Sequence, residues 1–170
     1  GNLLSESIRK PVITDYSSSN TETNKLKQSF FAGDDKVLVT STRGTLTEGV
    51  DYDGEKLHTC AVIGLPLVNI GPPRVQAVKH AYGEEFGTNN SFDYALSIPA
   101  VRRARQALGR VIRGPEETGV RILVDNRYTQ NHSYASVFEY LSPEEQDEFI
   151  TMEPDFLESQ LTRFWDKHPQ

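Results

Sequence analysis

The segment QALGRVIRG, residues 106–114, sets Arg110 and Arg113 three apart, with apolar residues between them and Gly109 just before the first. Wound as a helix at roughly 100° per residue, it brings Gln106, Arg110 and Arg113 within about 60° of one another. One turn back, Arg102 and Arg103 join that side, while Val101, Ala104, Leu108, Val111 and Ile112 gather on the other. One face asks for a core; the other collects guanidinium groups. Gly109 lies on the arginine face, where its missing side chain lets another body approach the backbone. The arrangement suits an anion arriving from outside. The plainer reading is a solvated basic face on an ordinary amphipathic helix.

A second group of polar residues follows the apolar run KVLVTS (36–41). It is TRGTLTEGVDYDG, residues 42–54, with Gly44, Gly49, Glu48 and Asp51. Ligands of parallel α/β sheets gather outside the carboxyl ends of strands, and this loop is expected at such an end. The two acids, three apart, could accept hydrogen bonds from a ribose, or position an arginine or a water; an ordinary acidic turn is the other reading. GTLTEG (44–49) has the glycine spacing of a phosphate-cradling P-loop, but such a loop continues with Lys and then Ser or Thr. Here Val50 and Asp51 follow. The chain by itself therefore lacks the means to hold and hydrolyse a nucleotide in the P-loop manner.

The elements that must position these residues read as strands alternating with helices. PVITD (11–15), KVLVTS (36–41), TCAVIGLP (59–66) and RILVDNR (121–127) are rich in Val and Ile with little alternation, as for parallel strands covered on both faces. NTETNKLKQSFFAGD lies between the first two, with Leu26, Phe30 and Phe31 at helical spacing and Gly33 as a stop. PPRVQAVKHAYGEEFG follows the third strand, and the arginine helix precedes the fourth. The order implies an α/β fold with an open, mostly parallel sheet flanked by helices. Toward the end, Ser142, Pro143 and Glu145 spell a capping box, and PDFLESQLTRFWDKH puts Leu157, Leu161 and Phe164 on one helical face. A C-terminal helical tail over about 134–168 is expected to pack back on a core of about 11–128, within a single domain. Residues 2–10 read as the end of a helix entering the first strand, so the chain is expected to be a fragment of a larger protein.

Composition narrows the functional classes. The chain has 170 residues, 36% of them hydrophobic, and a net charge of −6. That acidity argues against a general electrostatic grip on nucleic acid. The average conceals a polarity: residues 102–113 hold five arginines and no acid, whereas residues 128–162 hold eight acids and no Lys or Arg. Positive charge is concentrated, as for a small anion site or a narrow strand-binding groove. No apolar run is long enough to span a membrane, and GNLLSESIRKP lacks the apolar core of a signal peptide. Cytoplasmic (nucleoid-associated) or nuclear residence is the natural expectation. Cys60, the one cysteine, sits in an apolar run as an inert buried thiol. The histidines at 58, 80, 132 and 168 show no metal-ligand spacing, so no metal site is expected in this chain.

Taken together, the motifs resemble a known family. RGTLTEGVDYDGEKLHTCAVIGLPL, followed about forty residues later by QALGRVIRGPEETGVRILVDNR, resembles the second motor lobe of the XPD/DinG-type helicases of superfamily 2. That family carries E-G-x-D, G-x-P, Q-x-x-G-R-x-x-R and G-x-x-x-x-x-D-x-R in this order. Here those positions are Glu48, Gly49 and Asp51; Gly64 and Pro66; Gln106, Gly109, Arg110 and Arg113; Gly119, Asp125 and Arg127. The resemblance covers about residues 11–128. The stretch 72–98 and the tail beyond 130 match only in general character.

The resemblance implies a RecA-like lobe that closes one side of an ATP cleft. A first lobe, absent here, would supply the P-loop and the acids that bind Mg. Arg110 and Arg113 would then reach the γ-phosphate, Gln106 would orient the phosphate or the attacking-water network, and Gly109 would admit the nucleotide-bearing lobe. Glu48, Gly49 and Asp51 would meet the nucleotide and link it to the surface that carries single-stranded DNA. Ser41, Thr42, Arg43 and Gly44 would face that DNA; Arg43 reads equally as a phosphate contact or an exposed loop arginine. An iron–sulfur cluster, where family members have one, belongs to the absent part. Two rivals stand beside this reading. One is a non-catalytic interaction module that keeps a helicase-like fold. The other, a phosphate-binding α/β hydrolase, lacks a nucleophile elbow and a Ser–His–Asp set.

Overall fold

Val12–Thr14 form β1 and Val37–Val39 form β2, joined as a parallel pair in the register Val12↔Val37, Ile13↔Leu38 and Thr14↔Val39. The computed structural model describes residues 6–15, 19–33, 35–42, 57–112, 114, 116–130 and 135–168. Two parallel strands need a crossover, and α1, Asn20–Phe31, lies in the connection. Its start is fixed by a capping box: the Glu22 carboxylate accepts from the Ser19 backbone N–H at 2.9 Å, and Ser19 Oγ accepts from the Glu22 N–H. Its end is fixed from two sides. Gly33 takes φ +80°, which turns the chain away from the helix. Lys36 Nζ donates to the carbonyls of Ser29 and Ala32, placing a cation at the negative end of the helix dipole.

Thr59–Ile63 form β3 and Val120–Val124 form β4, paired side by side. The Val120 N–H donates to the His58 carbonyl at 2.9 Å, and the Gly64 N–H donates to the Val124 carbonyl at 3.0 Å. Both strands thus advance in the same direction, and the pair is parallel. The described strands pair as β1–β2 and β3–β4, both parallel, in the α/β arrangement of strands and helices expected from the sequence. Cover on both faces, expected from the apolar runs, is not what β3 shows. Cys60 is half-buried and Val62 buried, whereas Thr59, Ala61 and Ile63 are exposed, so the strand alternates with the two-residue period of a pleat.

Pro73–Phe86 form α2, begun by proline at its first position and ended by Gly87 at φ +88°. None of its residues is buried. The rings of Tyr82, Phe86 and Tyr94 cluster on this surface, with centroids 4.7–5.9 Å apart. A single wide π-turn, Asp93–Ser97, leads directly into α3, Ile98–Leu108. After β4 the chain makes short 3-10 turns at Asn126–Tyr128 and Phe138–Tyr140. Two helices close it: α4, Pro143–Glu148, with the expected Ser142–Glu145 capping box, and α5, Pro154–Lys167. Leu157, Leu161, Phe164 and Trp165 are the half-buried face of α5.

The chain divides into two compact units. One comprises Gly1–Val62, Arg102–Arg113 and Gly119–Ile122; its buried apolar residues are Val62, Ala104, Leu108 and Val111. Cys60, expected buried, is half-buried; its Sγ lies 3.7 Å from the Ala107 carbonyl in this unit, and desolvation pushes its thiol pKa up. The other comprises Ile63–Val101, Gly114–Thr118 and Leu123–Gln170. It is built on Leu65, Ala95, Leu96, Ala100, Val101, Tyr128, Val137, Phe138 and Leu141, with the Phe138 ring edge-on to Phe149.

Leu108 is 8% exposed on the inner face of α3. Leu108→Ala should cost about 2–5 kcal/mol through lost transfer energy and a residual cavity. Thermal or urea melting of the parent and variant chains checks this; a loss below about 0.5 kcal/mol would show that α3 is not seated as described.

Candidate functional site

The apolar stripe of α3 is buried as its periodicity requires: Ala100, Val101, Ala104 and Leu108 all point inward. Burying that face fixes the rotation of the helix, and so leaves Arg102, Arg105 and Gln106 exposed, with Arg103 half-buried. The helix does not run on through Arg113, as the wheel assumed. It stops at Leu108. The Gly109 N–H makes a last helical bond to the Arg105 carbonyl at 2.8 Å. The N–H groups of Arg110 and Val111 then reach back only three residues, to Ala107 at 3.4 Å and Leu108 at 3.1 Å. Glycine weakens the helix at 109, and Gly114–Pro115 ahead disfavours its continuation. The 60° sector drawn for Gln106, Arg110 and Arg113 is therefore not set by one straight helix. Gln106 stands on its last turn, exposed Gly109 and half-buried Arg110 follow in the tightened turn, and Val111 is buried beneath.

Ser41 and Thr42 follow the carboxyl end of β2, exposed and half-buried respectively. Arg43, Gly44, Glu48, Gly49, Asp51 and Arg113 lie outside the described residues. Just before Ser41, the carboxyl ends of β1 and β2 are joined by a carboxylate for which no role was read from the sequence. Asp15, 8% exposed, donates its N–H to the Val39 carbonyl at 2.9 Å and accepts from Thr40 Oγ1 at 3.3 Å. Its only sequence signal was its place as the last residue of PVITD.

The carboxyl ends of β3 and β4 are joined in the same manner, more strongly. Gly64 takes φ +80° and donates to Val124. Asp125 then accepts four hydrogen bonds: from the Leu65 N–H at 3.1 Å, the Arg127 N–H at 3.0 Å, Arg127 Nε at 2.9 Å and Arg127 Nη2 at 2.6 Å. The residues of G-x-P and D-x-R, which are separate motifs in sequence, thus form one clamp. The Arg127 guanidinium bond, assisted by the backbone donors, holds the Asp125 carboxyl down at about 2, and the same pairing raises Arg127. The adjoining Tyr128 is fully buried, and burial raises its phenol; no described residue hydrogen-bonds its hydroxyl. The Arg127 carbonyl accepts from the Val137 N–H at 2.8 Å, tying the clamp to the following segment.

Among the described residues, no group of three or more His, Cys, Asp or Glu side chains is placed to hold a metal ion. Nor is any described helix long and apolar enough to cross a membrane. The hydrogen-bond donors at this end of α3 are the Gln106 amide and the Arg110 guanidinium, groups of a kind suited to anionic oxygens.

The family model described as "Helicase C-terminal domain" matches residues 2–144. The chain is 33% identical over 97 residues to the general transcription and DNA repair factor IIH helicase subunit XPD/RAD3 of Saccharomyces cerevisiae, covering 57% of this chain and 12% of that protein. It is 28% identical over 130 residues to the XPD subunit of Dictyostelium discoideum, covering 76% and 16%. It is 33% identical over 101 residues to a Fanconi anemia group J protein homolog of Gallus gallus, covering 58% and 8%. The chain thus spans a small part of each of these relatives. Among solved structures, an XPD helicase superposes with a TM-score of 0.58 at 18% identity, over 88% of this chain and 26% of that one, a likeness of fold.

The clamp makes stability depend on pH in a definite direction. The folded pKa of Asp125 lies below its ordinary value of 3.8, so the contribution is complete above that value and is lost as pH falls toward about 2. With Asp125 only 11% exposed but Arg127 29%, solvent screening leaves it on the order of 1–2 kcal/mol. Asp125→Asn should lower the melting temperature at about pH 7 and much less at about pH 2.5. Melting curves of both proteins across that range test this; an equal gap at both ends would show that the carboxylate charge does not hold the clamp.

Proposed function

Because the chain belongs to the helicase C-terminal domain family, we propose that it is the second motor lobe of an ATP-dependent DNA helicase, completing an ATP site with a first lobe carried elsewhere in a longer protein. The observation that carries this reading is the end of α3. There the buried stripe from Ala100 to Val111 anchors the segment, and Gln106, Gly109 and Arg110 of Q-x-x-G-R-x-x-R follow one another on its outer side. The Gln106 amide and the Arg110 guanidinium fit the polyphosphate of ATP. In this reading the P-loop and the acids that hold Mg belong to the first lobe. ATP, when bound, supplies the phosphoryl group whose transfer to water drives the motor.

In this reading Arg110 and Arg113 place guanidinium groups against the γ-phosphate, where charge on its oxygens is spread in the transition state. A planar fork meets two oxygens at once, which a lysine cannot reproduce. Gln106 orients the phosphate or the attacking water. Glu48, Gly49 and Asp51, in the segment that follows β2 in sequence, meet the nucleotide. The start of that segment, Ser41, Thr42, Arg43 and Gly44, faces single-stranded DNA. A motor needs such a segment between nucleotide and strand, because hydrolysis must alter the grip on DNA. Similarity to the helicase subunit of the general transcription and DNA repair factor IIH supports a DNA substrate.

In the full-length protein, Arg113→Ala should reduce DNA-stimulated ATP turnover by roughly 10³-fold, about 4 kcal/mol of transition-state stabilisation. Nucleotide affinity should fall far less, and Arg113→Lys should not restore turnover. Steady-state ATPase, nucleotide binding and melting measured together decide the matter. Near-normal turnover with an intact fold would make the arginines a solvated surface and favour an interaction module. The 170-residue chain alone should hydrolyse no ATP. DNA-stimulated turnover by that chain would overturn the two-lobe reading.

A further inference from the structure

The sharpest steric constraint on the arginine segment comes from a glycine outside it. Val111 is 5% exposed and follows Arg110 directly, two residues ahead of Arg113. Its Cγ1 occupies the space where Gly119 would carry a side chain: a Cβ built there overlaps Val111 Cγ1 outright, and stands 3.2 Å from the His58 carbonyl oxygen. That carbonyl is itself engaged, accepting the Val120 N–H that starts the β3–β4 ladder. The backbone on the sheet side is therefore pinned, and a methyl group at 119 can be accommodated only by moving Val111. Valine has one rotatable side-chain bond and stiff rotamer preferences, so the displacement passes to its backbone rather than being absorbed in the side chain.

We propose that Gly119 is a positioning residue for ATP hydrolysis: it admits Val111 against the start of β4 and thereby sets the turn that carries Arg110 and leads to Arg113. The inference rests on the reading that these arginines act on the nucleotide. It goes beyond that reading by assigning a role in turnover to a residue that touches no substrate. The two backbone bonds of the turn, from Arg110 and Val111, are short-range and the first is long, at 3.4 Å. The buried Val111 side chain is the anchor.

The test is a swap of bulk between the two positions in the full-length helicase. Gly119→Ala should lower kcat for DNA-stimulated ATP hydrolysis by about 10-fold to 10²-fold with KM for ATP within about threefold, since displacing reacting groups by ~1 Å costs rates of that order while the P-loop of the first lobe keeps the nucleotide. Val111→Ala should cost less. The double variant V111A/G119A, in which the added methyl enters the space vacated by the valine, should regain most of the turnover lost in G119A. Leu26→Ala, which loosens the same compact unit elsewhere, is the control for mere destabilisation and should leave kcat unchanged below its melting temperature. Should G119A alone fail to fold, turnover of the double variant carries the decision. A double variant no better than G119A, or a G119A enzyme with parental kcat, would overturn the proposal while loss of turnover in Arg110→Ala and Arg113→Ala left the functional reading standing. Parental turnover in both arginine variants would overturn the two together.

Discussion

One carboxylate organises the carboxyl ends of β3 and β4. Asp125 accepts from two backbone N–H groups and from two nitrogens of Arg127, so its acceptor capacity is used in full. Strand ends in a parallel pair diverge unless something ties them, because no hairpin joins them and the ladder stops. Here the tie is charged, short and directional. It also dictates the company it keeps. Gly64 must turn with positive φ to bring the Leu65 N–H to the carboxylate, and Arg127 must fold back over its own strand end. Asp15 and Thr40 make a lighter version of the same tie across β1 and β2.

The second constraint is the exit from α3. A helix with a buried apolar stripe is fixed in rotation, yet its last turn is free unless a buried side chain holds it. Val111 does so, and the tightened turn from Gly109 to Val111 lets the chain leave the helix without losing that anchor. Such an anchor narrows the conformations open to Gly109 and Arg110. Arginines on an unanchored terminus would lose much of their value to conformational entropy, since each long side chain already costs about 2 kcal/mol to order.

Charge is distributed unevenly along the chain. The chain carries a net −6, yet between residues 102 and 113 it places five arginines and no acid. A uniformly basic lobe would bind polyanions indiscriminately through counterion release. A concentrated basic segment within an acidic chain attracts phosphate where the geometry is right and repels it elsewhere. That distribution agrees with membership of the helicase C-terminal domain family, which the comparison over residues 2–144 establishes.

Much of this was legible from the residues alone, because the relevant physics is local. The capping box read at Ser142 acts over three residues, and α1 and α4 lie where the sequence placed them. The four apolar runs became the four strands, since β-branched residues favour extended chain wherever they are buried. The motif order likewise pointed to the family without coordinates. What only the tertiary structure decided were relations between residues distant in sequence. The arginine helix ends at Leu108 because its terminus is set by packing and by flanking glycines, which a helical wheel does not contain. One face of β3 is exposed because apolar runs do not say what will cover them. That G-x-P and D-x-R meet at one carboxylate sixty residues apart, and that Gly119 is bare to admit Val111, follow from the parallel pairing of β3 with β4; no spacing along the chain encodes which atoms that pairing brings into contact.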